Sequence, residues 1–227
     1  MLQSQKFKTA LTLFAHPDDE TLAAGATIKK LTDSGTVVHV AIPATGVHSR
    51  TWKKLKHRNR ELKILHDDCT KAMATLGVEH IYLGEFADNE LDKHSLLSLI
   101  QWMEPIIDRL NPDVIFTHHR NCTNIDHQKC HEAVIVATRN MPITVLCGEV
   151  PSSTGYRKPT AFEPNLYVNV TESNVDDKIK SMQTYSGEAR PSPHPRSPEV
   201  LKALAVVRGS EAGFNFAEAF MILKTHL

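Results

Sequence analysis

The chain has no surplus of either charge: among its 227 residues, 26 lysines and arginines balance 26 aspartates and glutamates. That balance gives none of the basic footprint expected of a nucleic-acid binder. Long hydrophobic runs are also missing, and none approaches the roughly 18 apolar residues of a membrane span. The opening stretch MLQSQKFKTALTLFAHPDDE has no apolar segment of signal-peptide length followed by a small-residue cleavage site. The sequence therefore predicts no nucleic-acid partner, no membrane span and a cytoplasmic location. Cysteine is sparse, and Cys69, Cys122, Cys130 and Cys147 form no C-x-x-C pair. In a chain large enough to do without staples, reduced thiols are the expectation. No G-x-G-x-x-G or Walker sequence follows any expected strand, which removes the usual ground for a nucleotide site. Internal repeats and low-complexity tracts are absent as well.

What the chain does have is apolar content, 41% of its residues, enough to bury one sizeable core. A single domain over 1–227 is expected. Short β-rich runs alternate with helix-like stretches through the first two thirds. TALTLFA (9–15) precedes an amphipathic stretch near 19–34, and TVVHVAIPAT (36–45) reads as a second buried strand. Helical patterns near 53–76 and 94–110 then alternate with HIYLG (80–84) and DVIFTHH (113–119). Such alternation predicts an α/β fold, a Rossmann-like three-layer sandwich whose mostly parallel central sheet is flanked by helices. Further on, TVLCGEV and NLYVNV read as strands, with helices near 172–184 and 197–208. The proline-rich stretch SGEARPSPHPRSP (186–198) between those helices reads as an ordered surface loop or lid.

Ligands bind beyond the carboxyl ends of the strands in open parallel sheets. Two polar, histidine-bearing loops fall there: His16 to Glu20 after the first strand, and His118 to His127 after DVIFT. His16 and Asp19 are good ligands for a borderline metal, and His127 offers a third from the start of a helix. Such a set leaves a position open for water, as metal-assisted hydrolysis requires. Asp18, next to Asp19, is the natural general base. His118 and His119 are adjacent on a strand end and so point to opposite faces; at most one faces the pocket. His131 lies four residues after His127 on the same helix face and reads as surface or supporting. Cys122 and Cys130 read as ordinary thiols.

The segments AHPDDE (15–20) and NIDH (124–127) closely resemble those of the LmbE-like, or PIG-L, zinc-dependent N-deacetylases. ADNELD (87–92), PDVIFTHH (112–119), EVPSST (149–154) and FNFAEAF (214–220) follow the same family in order, so the resemblance covers nearly the whole chain. It implies removal of an acetyl group from an N-acetylglucosamine-type sugar or glycoconjugate, with His16, Asp19 and His127 as metal ligands and Asp18 as base. Zinc is the implied cofactor, or iron, since the same ligands accept either. Asp126 corresponds to a carboxylate that orients the second motif. Arg50 and Asp88 correspond to positions that contact sugar hydroxyls or a charged substituent; His119 and His194 are the further candidates for substrate contact. Asn124 stands where many members carry a histidine that stabilises the oxyanion or protonates the leaving amine. It can donate a hydrogen bond but cannot serve as an acid, which leaves Asp18, His118, His119 or His194 for that proton. The resemblance also implies a homo-oligomer in many members. Two other activities stay open from sequence: an amidase of the same chemistry on a non-sugar N-acyl or thiol-conjugate amide, and an idle sugar-binding protein.

Overall fold

The computed structural model describes residues 7–47, 55–156 and 162–226. In chain order the elements are β1 (Thr9–Leu13), α1 (Asp19–Asp33), β2 (Val37–Ala44), α2 (Leu55–Thr75), β3 (His80–Phe86), α3 (Leu96–Leu110) and β4 (Val114–His118). They continue with α4 (Ile125–Thr138), β5 (Thr144–Gly148), β6 (Leu166–Asn169), α5 (Glu172–Thr184), α6 (Pro198–Ala212) and β7 (Ala217–Lys224). The strands form one seven-stranded sheet in the order β3-β2-β1-β4-β5-β7-β6. The first five are parallel, and β7 runs antiparallel to both β5 and β6.

Strand periodicity builds the layers. Successive side chains of a strand face opposite sides, so Leu11, Leu13 and Ile115 join one core while Ala10, Val114 and Phe116 join the other. Leu99, Met103 and Ile107 of α3, with Cys130 and Val134 of α4, close the first core. Leu22 and Ile28 of α1, Leu65, Cys69 and Met73 of α2, Met182 of α5 and Leu201 of α6 close the second. This is the expected three-layer α/β arrangement. The last strand differs from the sequence reading: Ala217–Lys224 is not read there as a strand, because its alanines and glutamate carry little β propensity. It becomes one through position, slotted between β5 and β6 with its first four residues buried.

A bulge shapes the other edge, where the β2–β3 register shifts between Ile42 and Ala44. There Gly84 passes so close to β2 that an added Cβ would sit 2.4 Å from the Pro43 carbonyl oxygen and 2.9 Å from its Cα. Backbone cannot yield as a flexible side chain can. Gly84→Ala is therefore expected to cost about 1–3 kcal/mol, as overpacking does, read from the denaturant midpoint. An unchanged midpoint would show that the strands can part there freely.

The sheet order places the site. From β1 the chain winds outward through β2 to β3, then returns to the other side of β1 as β4. Leu13 pairs with Thr117, so the carboxyl ends of β1 and β4 lie side by side. This is a topological switch point, where an open α/β sheet leaves a crevice.

Candidate metal centre and active site

The first loop is tied down before it reaches the crevice. Ala15 donates its N–H to His118 Nε2 at 2.7 Å, and its carbonyl accepts from Ala44 N at 3.1 Å. A turn follows in which Asp19 N donates to the His16 carbonyl at 3.2 Å. Asp18 is the N-cap of α1, yet its carboxylate makes no capping bond and its φ is 117°. Its side chain is thereby kept out of the helix terminus and left for the site. The capping role that a solvated turn would give it is not used.

His16, Asp19 and His127 converge. Asp19 Oδ2 lies 3.0 Å from His16 Nδ1 and 3.1 Å from His127 Nε2, with one ligand atom of each residue within 4.8 Å of the others. Asp18 and Asp19 are each only 2% exposed. Burial works against ionising Asp19, but His127 and then His16 outweigh it and hold its carboxyl well below the usual range. His16 is also opposed by burial, and there Asp126 and then Asp19 prevail, raising its pKa to about 10. The two carboxylates that favour positive charge on this ring would favour a bound cation by the same attraction. Burial pushes Asp18 upward, opposed by Arg196 and reinforced by Asp19, Glu188 and Glu20.

Asp126 is fully buried and works on the first motif rather than on its own. Its Oδ2 accepts from His16 Nε2 at 2.8 Å and from Asn89 N at 2.5 Å, and its Oδ1 accepts from Leu91 N at 3.0 Å. A carboxylate behind a ligating imidazole fixes the ring's orientation and tautomer. Asn124 is the N-cap of α4, its Oδ1 accepting from Asp126 N at 2.8 Å and its amide donating to Asn89 Oδ1 at 3.2 Å. The residue that replaces the expected histidine is thus engaged in starting the helix that carries His127.

His118 forms the floor. Its ring stacks on His127 with centroids 3.8 Å apart, and burial and then His127 push its pKa well below the usual histidine value. With Nε2 accepting from Ala15 the ring is neutral, which sets it aside as a general acid. Of the two readings of His131 the structure supports the supporting one: it is 4% exposed, and its Nδ1 donates to the His118 carbonyl at 2.8 Å. A second group, His118, Cys122 and His127, also brings one ligand atom from each within 4.8 Å. It fits a metal less well. His118 Nε2 is committed to Ala15, Cys122 Sγ bonds Thr154 Oγ1 at 3.0 Å, and burial pushes that thiol up to about 12.

The remaining candidates fall in different places. Asp88 is 2% exposed, with Oδ1 3.5 Å from Thr45 Oγ1 and Oδ2 accepting from Asn89 Nδ2 at 3.3 Å. His119 is buried past the end of β4, its ring edge-on to Phe162 at 5.4 Å. Arg50 lies outside the described residues. Of the proline-rich segment, Arg196 reaches Asp18, with Nη2 3.1 Å from Oδ2, while His194 Nδ1 accepts from Arg196 N at 3.1 Å. Sequence reasoning missed Glu20 and Tyr185, whose carboxylate and phenol meet at 2.6 Å beneath Asp18. The available signal for Glu20 was the third carboxylate of AHPDDE, too close to the strand end to reach solvent.

Fold and geometry together define a Rossmann-like α/β protein with a His–Asp–His candidate metal centre at its switch point. The chain matches the family described as PIG-L, GlcNAc-PI de-N-acetylase, over residues 11–138. It belongs to this PIG-L, or LmbE-like, family, as AHPDDE and NIDH led one to expect. A Bacillus cereus protein named as a probable N-acetyl-alpha-D-glucosaminyl L-malate deacetylase 2 is 33% identical over 186 residues, 78% of this chain and 82% of the relative. The N,N'-diacetylchitobiose deacetylase of Pyrococcus horikoshii superposes with a TM-score of 0.78 at 21% identity, over 96% of this chain and 84% of that one. The 4-carboxy-2-hydroxymuconate hydratase of Pseudomonas putida also shares the fold, with a TM-score of 0.77 at 17% identity over 97% and 98% of the two chains. Relatives of this chain are thus named deacetylases of N-acetylated sugars, while the fold by itself admits other reactions. Among the described residues no helix is long and apolar enough to cross a membrane.

Proposed function

We propose that this protein is a metal-dependent hydrolase that removes the acetyl group from an N-acetylated amino sugar. The observation that carries this reading is Asp19 Oδ2 lying between His16 Nδ1 and His127 Nε2, at 3.0 and 3.1 Å, beside an Asp18 carboxylate that no helix cap consumes. His16, Asp19 and His127 would hold the ion, zinc or iron by the chemistry of the donor set. When bound, such an ion polarises an acyl oxygen and makes water acidic near neutral pH.

The chain's own groups do the rest. Asp18 accepts the proton of the attacking water as its oxygen adds to the acetamide carbon. As the carbon–nitrogen bond breaks, Asp18 returns that proton to the departing amine, and acetate leaves. This double use answers the loss of an acidic histidine at Asn124, whose amide is limited to donating a hydrogen bond. Asp126 holds His16 in the ligating orientation. Arg50, Asp88, His119 and His194 are our candidates for contacts to the sugar and its substituent. The relatives' names support an N-acetylated saccharide as the substrate class.

The test is amine release from a panel of N-acetylglucosamine derivatives, including a malate conjugate and diacetylchitobiose, by metal-loaded and chelator-stripped protein. Turnover lost on chelation and restored by the ion supports the reading. No amine from any sugar despite one bound metal per chain would overturn it and turn attention to non-sugar N-acyl substrates.

A further inference from the structure

Asp18 is held from two sides by one stretch of chain that the proposed reaction leaves without a role. Its backbone N–H donates to Glu20 Oε2 at 3.1 Å, and Glu20 Oε1 accepts from Tyr185 Oη at 2.6 Å and from Thr21 Oγ1 at 2.9 Å. Glu20, Thr21 and Tyr185 are all fully buried. Its carboxylate meets Arg196 Nη2 at 3.1 Å, and the same guanidinium is backed through Nη1 by Glu188. Glu188 N in turn donates to the Tyr185 carbonyl at 2.9 Å, which joins the two arms. The stretch is anchored at both ends. Ser186 donates from its N–H and hydroxyl to Asp68 of α2 at 3.0 and 2.7 Å, and buried Ser197 caps α6 through Val200 N at 3.3 Å.

This arrangement has a physical purpose. A φ of 117° at a residue with a side chain persists only where its surroundings over-determine it. A carboxylate that must meet a water within a few tenths of an ångström also needs its rotamer locked. One arm fixes the backbone and the other fixes the side chain.

We propose that residues 185–197 form a clasp that positions Asp18, with Tyr185 acting on its backbone through Glu20 and Arg196 acting on its carboxylate with Glu188 behind it. The clasp rests on the reading of Asp18 as the general base. It makes Glu20, Tyr185, Glu188 and Arg196 positioning residues. It also gives the proline-rich segment a role at the base, apart from any contact with substrate.

The test compares Tyr185→Phe, Arg196→Ala and Arg196→Lys with the wild type in kcat, KM and bound metal, using the best acetamide substrate. A misplaced catalytic group costs up to about 100-fold, so kcat is expected to fall about tenfold in Tyr185→Phe and about 100-fold in Arg196→Ala, with KM and metal content unchanged. Added guanidinium should restore part of the Arg196→Ala loss, and Arg196→Lys should retain more activity than alanine. Full kcat in both Tyr185→Phe and Arg196→Ala would overturn the clasp while leaving the hydrolase reading intact. So would a loss that follows metal content or KM. If the wild type turns over nothing, the hydrolase reading fails on its own. Amide exchange at Asp18 then decides: faster exchange in Tyr185→Phe and Arg196→Ala supports the clasp, and wild-type rates in both overturn it.

Discussion

Asp18→Asn is expected to lower turnover by about 10²–10⁴-fold, the usual contribution of a positioned general base, while the protein keeps its fold and its metal. Asparagine preserves the size and shape of the side chain. It is also among the residues that tolerate positive φ, so the 117° backbone angle at this position does not by itself penalise the variant. The proposed ligand set of His16, Asp19 and His127 excludes Asp18, so metal content should match the wild type. Amine release measured beside metal analysis separates the two functions of neighbouring aspartates: Asp19→Asn should lose metal, and Asp18→Asn should lose only chemistry. Near-normal turnover by metal-replete Asp18→Asn would remove Asp18 as the base.

The second large effect lies away from the crevice. Lys178 of α5 and Glu218 of β7 are each 5% exposed and meet at 2.6 Å. Glu218 also accepts from Ala26 N and Thr27 N within α1, at 3.2 and 2.6 Å, while Lys178 Nζ donates to the Leu22 carbonyl at 2.8 Å. The pair thus pins the middle of the helix that carries Asp18 and Asp19 at its start. Gly25 makes room for it, since a Cβ there would lie 2.9 Å from Lys178 Cγ.

Lys178→Met fills similar volume but strands a buried carboxylate. It should cost about 3–5 kcal/mol, which for a chain of this size is a fall in Tm of about 6–20 °C. Adding Glu218→Gln removes the unpaired charge and keeps one oxygen for one of the two α1 amides, so the double variant should regain part of the loss. Thermal melts of the three proteins decide this. A Lys178→Met melt indistinguishable from wild type would mean that Glu218 takes up a proton or finds water at little cost.

The parallel half of the fold was legible because it is written in local signals. Strand-length apolar runs alternate with helical patterns between turn residues, and the boundaries of α1, α5 and β4 fall within a residue or two of the sequence reading. The antiparallel strand β7 was not legible, since its residues are strand-like only between two neighbours brought together from elsewhere in the chain. The same division runs through the site. His16, Asp18, Asp19 and His127 could be picked out as candidates because metal ligation and proton transfer demand particular residue types, which stand in two short motifs after two strands. The Asp126 bond to His16 crosses 110 positions and that of Tyr185 to Glu20 crosses 165. Spacing carries no trace of such pairs.

Sequence by itself therefore determined the α/β class and pointed to the sheet edge and residue types of the candidate site, through periodicity and the narrow chemistry of the two motifs. Only the tertiary structure decided that Asp126 serves His16, that His118 is a buried neutral floor and that Arg196 rather than His194 meets Asp18. Those outcomes depend on which distant backbone segments pack against one another, and on the strong preference of buried polar groups for a partner once water is gone.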